Sequence, residues 1–477
     1  MILEHFNYKD FQQKFYTRFK GIAVFDVGDV NFIKVIMECL VVRYGYKGKI
    51  RTYIFFLFPG VFLFLKNIFI FLFRYESKKK GQVFINKYCE IKPRIVLIDN
   101  GRTVTKSDGD CVSVYFHNIR QKLTDKGIPF FHYSETQTRA GYHDVFFDEN
   151  FRDSFQSRSL LNVERKVLKD LITLYKNCVR YNCFTNEELT HIRFGLTVFF
   201  DQFRLWNFYF SQFKPNGILL LGHYHHEGII MACRINGVRV IELQHGLIAP
   251  EDIFYVMPKL FASIRSRALF PDEIHTYGKY WSEILKKGYE FSEDQIKLSG
   301  YYLFEEKTPS QDENVLLRQI TGTKPVVLVT TQPALHASFV NYIEKWSSSL
   351  SKQGLQAVFI VKLHPADDEK WYETLRRNEN IFITRMRLEV LFQFAYIHVT
   401  SYSTTVYDAL RYGVMNYSID FPESSDYVEH LVSESLTHKI NEAEFPAIPQ
   451  QKPEIINADF SIYFKAADYE FLNAFKN

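Results

Sequence analysis

The amino-acid sequence predicts an α/β protein made of two Rossmann-like domains that face each other across a cleft. Its 477 residues exceed the length at which one hydrophobic core usually keeps growing, so more than one domain is expected. Short apolar runs alternate with helical patterns, as parallel strands covered on both faces do. The alternation occurs once before and once after a polar stretch at 300–324, which we expect to connect the domains.

Each predicted element rests on the spacing of its apolar residues. In the first half we expect helices at 161–178, 186–213 and 228–237, and strands at 94–102, 128–135, 217–222 and 238–246. Residues 111–123 fit either a helix or an extended element. In the second half we expect helices at 336–352, 369–377, 388–395 and 404–413, and strands at 325–332, 357–365, 381–384, 396–401 and 414–420.

The predicted elements divide the chain into four parts. An N-terminal region at 1–90 precedes a first Rossmann-like domain at 91–305 and a second one at 306–455. We expect the remaining segment, 456–477, to cross back to the first domain.

Charge and cysteine content exclude several classes of function. A net charge of +4 is too small to indicate a nucleic-acid-binding surface, so we expect no nucleic-acid partner. The six cysteines are dispersed without a CxxC pair, which argues against a structural zinc site or a dithiol redox motif. The polar N-terminus does not resemble a secretory signal, and free cysteines indicate a reducing, cytoplasmic compartment.

An aromatic, apolar segment at 51–74 interrupts the pattern of a soluble protein. Residues 53–65 are all apolar, Pro or Gly, and both flanks are basic. We predict that 51–80 lies on the inner face of the cytoplasmic membrane, with its lysines on anionic headgroups, which makes the protein peripheral there. A buried helix pair and a membrane span are the alternatives, since about twenty apolar residues suffice to cross a bilayer.

Polar residues follow the predicted strands of both halves, where ligands bind in open parallel sheets. In the first half these residues are His223, His225, His226, Glu227, Gln244, His245 and Gly246. In the second half they are Thr330, Thr331, Gln332, His364, Pro365, Thr400, Ser401, Ser403, Thr404 and Thr405.

The second set predicts a phosphate site. Ser403 or Thr404 can cap the helix that follows, whose free backbone N–H groups attract an anion. His364 can donate a hydrogen bond to a phosphate oxygen while Pro365 fixes the turn. Asp408, one turn into the helix, can accept from ribose hydroxyls or complement the positive helix end. A plain capped helix and a histidine packed at a domain interface are the structural alternatives.

The stretch HYHHEG, 223–228, raises the question of a metal. Its spacing does not match a helix-borne HExxH pair and no second ligand cluster is apparent, so we expect no metal. Glu227 suits a general base instead, because enclosure in a cleft raises the pKa of a carboxyl towards the working pH. His245 competes for that role. The DxD pair in SDGDC, 107–111, lacks a preceding aliphatic strand, and we expect a turn there.

The order of these motifs resembles the GT-B glycosyltransferases of bacterial surface polysaccharides. KLHP at 362–365 followed by TSYSTTVYDAL at 400–410 is most similar to the CMP-sugar users, which are the sialyl- and polysialyltransferases and the capsule Kdo transferases. These enzymes hold the CMP phosphate with an HP motif and a Ser-Ser/Thr motif. LQHG at 243–246 is similar to a QHG element of capsule-type transferases. The resemblance covers roughly 215–420.

The resemblance implies an inverting, metal-independent glycosyltransferase without a cofactor, whose donor is a nucleotide-sugar. The second domain would bind the nucleotide, with His364 and the turn after Ser403 on the leaving phosphate. Residues contributing to this donor site would be Thr331, Gln332, His364, Pro365, Ser401, Ser403, Thr404, Thr405 and Asp408.

The first domain would hold a surface-polysaccharide or glycolipid acceptor near His223, His225 and His226. Glu227 or His245 would deprotonate the acceptor hydroxyl. Several relatives carry an acidic-acidic-Gly motif at this position, and here its first acid is replaced by His226.

Three other functions compete with this one. A UDP-sugar 2-epimerase shares the two-domain fold but needs no membrane segment. A CDP-glycerol-type glycerophosphotransferase uses a membrane-bound acceptor. A non-catalytic scaffold of a polysaccharide assembly complex would differ from all of them by binding no nucleotide.

Overall fold

The computed structural model describes residues 25–45, 92–106, 109–134, 145–147, 160–250, 252–257, 266–303, 310–422, 429–452 and 460–476. The segment predicted to lie on the membrane, 51–80, falls outside these residues. The chain divides into two compact units. The described residues from 25 to 303, with 461–476, belong to the N-terminal unit, and those from 310 to 452 belong to the C-terminal unit.

The N-terminal unit is built on a parallel sheet. Its strands are β1 (Asp26–Val27), β2 (Val30–Asn31), β3 (Ile95–Asp99), β4 (Thr103–Thr105), β5 (Cys111–Ser113), β6 (Phe130–Ser134), β7 (Val145–Phe147), β8 (Gly217–Leu221), β9 (Arg239–Leu243), β10 (Glu273–Thr276) and β11 (Ile296–Leu298). Seven of these strands form the sheet, all parallel, in the order β11-β10-β9-β8-β3-β6-β7. Two antiparallel pairs, β1 with β2 and β4 with β5, stand apart from it.

The helices of this unit begin and end at residues suited to those positions. They are α1 (Ile33–Gly45), α2 (His117–Asp125), α3 (Asn162–Tyr181), α4 (Asn186–Phe213), α5 (Glu227–Asn236) and α6 (Lys279–Leu285). Thr185 caps α4, because its hydroxyl accepts from the Glu188 N–H at 3.2 Å while the Glu188 carboxylate accepts from the Thr185 N–H at 2.7 Å. Gly237 ends α5 in the left-handed conformation, at φ 68°.

Close packing fixes α5 against α4. A Cβ on Gly228, in the first turn of α5, would lie 2.3 Å from the Phe199 carbonyl oxygen of α4. Only glycine therefore allows this approach. The contact positions the start of α5, where Glu227 lies, and so sets the orientation of a predicted catalytic residue.

The C-terminal segment also packs on the N-terminal unit. The Trp281 indole N–H donates to the Tyr463 carbonyl at 2.8 Å, and the Tyr301 N–H donates to the Lys465 carbonyl at 2.8 Å. A short 3₁₀ helix, Glu470–Phe475, buries Leu472 and Phe475. These contacts join residues 461–476 to the unit that contains β10 and β11.

The C-terminal unit contains a second parallel sheet. Its strands are β12 (Val326–Thr330), β13 (Val358–Lys362), β14 (Ile381–Thr384), β15 (Ile397–Thr400), β16 (Met415–Asp420) and β17 (His438–Asn441), in the spatial order β14-β13-β12-β15-β16-β17. Its helices are α7 (Gln311–Thr321), α8 (His336–Lys352), α9 (Leu388–Phe392), α10 (Thr405–Arg411) and α11 (Glu429–Ser433).

Both faces of this sheet are buried. Val327 and Val329 of β12 belong to one apolar cluster, with Trp346 of α8, and Val326 and Leu328 belong to another on the opposite face. The uninterrupted apolar runs in the sequence follow from this double coverage.

The prediction of two α/β units with parallel sheets is confirmed. Three details differ from it. Residues 369–377 form a 3₁₀ helix, Glu369–Arg377, and the predicted connection at 300–324 contains α7. Helix α1 packs against α4, and residues 25–45 group with the N-terminal unit. Among the described helices, none combines the length and apolarity needed to cross a membrane.

Candidate functional site

The strand order of the C-terminal sheet identifies where a ligand would bind. From β12 the chain moves outward to β13 and β14, then returns to β15 on the other side of β12. The connection after β12 runs to one side of the sheet and the connection after β15 runs to the other. Such a switch point opens a crevice at the carboxyl ends of the strands. Thr330 ends β12 and Thr400 ends β15, so the residues that follow them border this crevice.

Hydroxyl groups from both strand ends bond to one another there. The Thr330 hydroxyl lies 2.9 Å from the Thr405 hydroxyl, and the Thr405 hydroxyl donates to the Ser403 oxygen at 2.9 Å. The Thr400 hydroxyl donates to the Thr330 carbonyl at 3.1 Å. Ser403 and Thr405 are partly exposed and Thr404 is exposed, so their hydroxyls are the ones accessible to a ligand.

Two of the predicted donor-site residues support this loop from behind. Gln332 is buried, and its amide oxygen accepts from the backbone N–H groups of Ser403 at 3.0 Å and Tyr402 at 3.3 Å in the orientation that satisfies its contacts. The Ser401 hydroxyl is buried and donates to the Ile419 carbonyl at 2.9 Å. Gln332 and Ser401 therefore fix the loop from inside the unit. The exposed or partly exposed residues Ser403, Thr404 and Thr405 are the ones that a ligand can contact.

The predicted helix cap is only partly realised. Thr404 occupies the N-cap position of α10, but its side chain makes no capping hydrogen bond. The Ser403 hydroxyl accepts from the Thr405 N–H at 3.3 Å instead. Helix α10 spans seven residues, and Asp408 in its first turn is half-buried.

His364 follows β13, and its ring is hydrogen-bonded to the backbone of the turn. Its Nδ1 accepts from the Ala366 N–H at 3.1 Å, so the neutral ring carries its proton on Nε2. The His364 N–H donates to the Thr331 hydroxyl oxygen at 3.0 Å and to Asp367 Oδ2 at 2.9 Å. His364 therefore carries its donor at Nε2. Thr331 and Asp367 fix the backbone of the turn that positions this ring.

Arg385 is a cation beside this turn that the motifs did not reveal. It follows β14, and its guanidinium donates to the Asp367 carbonyl at 2.6 Å and to the His364 carbonyl at 3.3 Å. Its exposed side chain adds positive charge next to the HP turn. The signal in the sequence that could have found Arg385 is its position directly after a strand, which it shares with the predicted site residues of the neighbouring strands.

The N-terminal sheet has its own switch point, between β3 and β8. The loop after β8 carries three of the predicted histidines and leads into α5 at Glu227. His226 is mostly buried, and its Nδ1–H donates to the Gly222 carbonyl at 2.6 Å. His225 has a left-handed backbone, at φ 66°, and its side chain is half exposed.

His223 lies in the core, which differs from its predicted place beside an acceptor. Its side chain has no exposed surface and lies between two glutamates, with Nδ1 bonded to Glu242 and Nε2 2.6 Å from Glu290 Oε1. Burial alone would lower the pKa of His223, but the two carboxylates outweigh it and raise the pKa to about 10. The Tyr255 hydroxyl donates to Glu242 at 2.7 Å. The structure therefore gives His223 a structural role as a buried cation.

Glu227 is buried beside a second glutamate. Its side chain is almost entirely enclosed, and Oε1 lies 3.8 Å from the Nζ of Lys34, itself fully buried. Burial and the adjacent Glu38 carboxylate raise the pKa of Glu227 well above its usual range. Glu38 and Lys34 both come from α1, which the sequence had placed outside the α/β part.

Glu38 is held as a hydrogen-bond acceptor. The backbone N–H of His225 donates to both of its carboxylate oxygens at 3.0 Å, and the His225 Nδ1 lies 3.1 Å from Oε2. The His225 carbonyl in turn accepts from the Gln202 amide at 2.7 Å. The left-handed turn at His225 thus fixes Glu38 next to Glu227.

His245 is the other predicted base. Its Nε2 lies 3.0 Å from the Tyr224 hydroxyl, and burial lowers its pKa to about 4. A group with so low a pKa takes up a proton weakly at neutral pH, which favours the glutamates for acid–base chemistry. The neighbouring Gln244 is buried, with its amide bonded to the Gly246 carbonyl and the Tyr277 N–H at 2.8 Å each.

A small cavity opens beside the two glutamates. It has a volume of about 140 Å³ and lies between α1, α4 and the loop after β8. Apolar side chains of α1 and α4 form most of its wall, and the polar groups in it include Glu38, Gln202, His225 and Glu227. A single hydroxyl-bearing arm of a ligand fits such a volume.

No group of three or more His, Cys, Asp or Glu residues within the described ranges is arranged to hold a metal ion. In the DxD pair, Asp108 lies outside these ranges, and the Asp110 carboxylate lies 3.4 Å from the Lys106 ammonium.

No protein-family model and no curated protein sequence matches the chain. Solved structures resemble it at low identity. The UDP-GlcNAc 2-epimerase from Methanocaldococcus jannaschii shares 12% identity and a TM-score of 0.43 over 73% of this chain and 89% of that one. The enzyme of the same name from Neisseria meningitidis, bound to UDP-GlcNAc, gives 10% and 0.41 over 73% and 87%. MurG from Acinetobacter baumannii gives 10% and 0.38 over 74% and 87%.

Proposed function

We propose that the chain is an inverting glycosyltransferase that moves a sugar from a nucleotide-sugar, in the first place a CMP-sugar, to a glycan or glycolipid of the bacterial surface. In this proposal the C-terminal unit binds the nucleotide and the N-terminal unit supplies the acid–base group. Segment 51–80 holds the enzyme at the inner face of the cytoplasmic membrane, an association that co-sedimentation with anionic vesicles measures.

The observation that carries the proposal is the tautomer of His364. Because the Ala366 N–H occupies Nδ1, the remaining proton is on Nε2, at the carboxyl edge of the C-terminal sheet. A nucleotide phosphate that leaves the sugar gains negative charge, and a prepared donor at this edge stabilises that charge. Arg385, next to the same turn, favours an anion over a neutral ligand.

The hydroxyl loop supports the same ligand. Ser403, Thr404 and Thr405 follow the strand on the other side of the switch point, where the hydroxyls of Ser403 and Thr404 can donate to phosphate oxygens while Thr405 donates to Ser403. Gln332 and Ser401 hold the backbone of this loop, so its accessible hydroxyls keep their positions when a ligand arrives. Asp408 remains the candidate acceptor for the ribose hydroxyls.

The acid–base step is assigned to Glu227. Its carboxyl faces a cavity with room for a hydroxyl group, and burial gives it a raised pKa, as a general base working near neutral pH requires. The acceptor oxygen then attacks the anomeric carbon as the bond to the nucleotide phosphate breaks. Inversion follows from this single displacement.

His364→Ala is expected to lower turnover by at least about tenfold, because the variant loses one donor to the leaving phosphate. CMP release from CMP-N-acetylneuraminic acid, with water as acceptor, measures the rate. His438→Ala is the matched control, since His438 is an exposed histidine of the same unit on β17. Equal rates for the wild type and the His364 variant would assign His364 a purely structural role.

A further inference from the structure

The two glutamates at the 140 Å³ cavity meet from distant parts of the chain. Glu227 begins α5, and Glu38 lies on α1, with its carboxylate close enough to hydrogen-bond to Glu227. Glu227 lines the cavity, and its fully buried Oε1 has no hydrogen-bond partner within the described ranges. A buried, unsatisfied carboxylate oxygen is costly, and a proton on the Glu227 carboxyl lowers that cost.

Glu38 differs from Glu227 in its surroundings. One backbone N–H, that of His225, is shared between both carboxylate oxygens of Glu38, and the His225 ring lies 3.1 Å from Oε2. The Lys34 ammonium lies 3.8 Å from Glu227 and is shared with Glu290 at 3.5 Å. The arrangement favours a protonated Glu227 whose proton lies in the hydrogen bond to Glu38.

A protonated Glu227 cannot by itself accept a proton from a hydroxyl group. It can do so only if its own proton moves to a neighbouring base at the same time, and Glu38 is placed to receive it.

We propose that Glu38 and Glu227 form a two-carboxyl proton relay, and that the cavity beside them binds the nucleophilic hydroxyl of the acceptor. The O–H bond of the acceptor breaks and its proton goes to Glu227, while the proton of Glu227 passes to Glu38. The acceptor oxygen bonds to the anomeric carbon, and the electron pair of the broken sugar–phosphate bond leaves with the nucleotide. Glu38 thus acts through Glu227. The relay rests on the proposed transferase function.

Other ionisable groups face the pair from every element around it, and all of them enter its pH dependence. They are Lys34 and Cys39 on α1, His191 on α4, His225 in the loop after β8, and Glu290, which shares Lys34. Single substitutions therefore test the relay more sharply than a pH profile of the wild type alone.

The first readout needs no substrate. Infrared spectra at pH 7 should contain a carboxylic-acid C=O band that Glu227→Gln removes and that Glu38→Gln shifts, because the hydrogen-bond partner changes. Glu283→Gln, on the exposed side of α6, should leave the band unchanged. If the spectra of the wild type and Glu227→Gln show the same acid bands, the relay is refuted.

The second readout is CMP release from CMP-N-acetylneuraminic acid as a function of pH. With Glu38 replaced by Gln, Glu227 must lose its proton to bulk solvent before it can react. Burial still raises the pKa of Glu227 when the Glu38 carboxylate, the second cause, is removed. We therefore expect a rate at least about 100-fold lower at pH 7, and an acid limb set by the loss of the Glu227 proton to solvent. Glu38→Asp, which keeps the charge, should retain part of the rate, and it replaces Glu38→Gln if that variant does not fold.

The outcomes separate the relay from the transferase proposal. A rate reduced equally at all pH values would assign Glu38 a structural role and overturn the relay. Absence of nucleotide binding by the wild type would overturn the transferase function, while the infrared band would still decide the protonation of the pair.

Discussion

Glu227→Gln is expected to reduce sugar transfer by at least about 100-fold, the usual contribution of a positioned acid–base group. The amide has nearly the shape of the protonated carboxyl, so the fold and the nucleotide site in the other unit should stay intact. CMP affinity measured by calorimetry should therefore equal that of the wild type. Retained transfer activity would instead move the base to His245, whose neutral ring lies beside Tyr224.

The pH dependence of the free energy of unfolding tests the protonation of Glu227 independently of activity. The pKa of Glu227 is raised in the folded state, so the native protein keeps a proton that the unfolded chain loses above its ordinary pKa. The native state therefore loses stability as the pH rises through that interval, by up to about 1.4 kcal/mol per pH unit. Glu227→Gln removes this dependence, and denaturant unfolding at several pH values should show the variant gaining on the wild type towards alkaline pH.

His223→Ala is expected to destabilise the N-terminal unit by about 3–5 kcal/mol, because it leaves buried carboxylates without their cation. Glu242 and Glu290 would both remain in the core, where the described residues leave the Tyr255 hydroxyl on Glu242 and Lys34 near Glu290. Denaturant unfolding measures the loss. His117→Ala, at the partly exposed start of α2, is the control and should change stability little.

The stabilisation by His223 also depends on pH, but the cause differs, because neighbouring carboxylates raise the pKa of His223 whereas burial raises that of Glu227. The folded pKa of about 10 lies above the ordinary value of a histidine, so the stabilisation is complete below the unfolded pKa. It is lost as the pH rises towards 10. The difference between wild type and His223→Ala should therefore shrink between neutral and alkaline pH. A constant difference would mean that His223 is neutral in the folded protein.

The fold was readable from the sequence because the strands are buried on both sides. Runs such as Gly217–Leu221 and Val326–Thr330 are entirely buried, and continuous apolar runs of this length between turn residues are typical of strands in a covered parallel sheet. Shorter strands, and strands that contain both polar and apolar residues, were not predicted. Two of them, Glu273–Thr276 and Ile296–Leu298, contain polar residues. They are strands because they pair with strands distant in sequence, and no local pattern of residues indicates such pairing.

Only part of the candidate site could be predicted from the sequence. Strand ends located His364 and Glu227, since parallel sheets place ligands there. The partners that give these residues their chemistry are distant or unremarkable in sequence. Glu38 lies 187 positions before His225, whose backbone holds it. Asp367, which secures the His364 turn, was not among the predicted site residues. His223 looked like its neighbours in HYHHEG, but burial between two carboxylates depends on tertiary packing.

The central claim is that His364 and the hydroxyl loop bind a nucleotide phosphate, and a calorimetric titration with CMP, CDP, UDP and GDP tests it most directly. We predict one binding site per chain in the wild type, tightest for CMP, with affinity reduced in His364→Ala and unchanged in His438→Ala. Preference for UDP would favour the epimerase alternative over a CMP-sugar donor. Absence of binding by all four nucleotides would contradict the claim.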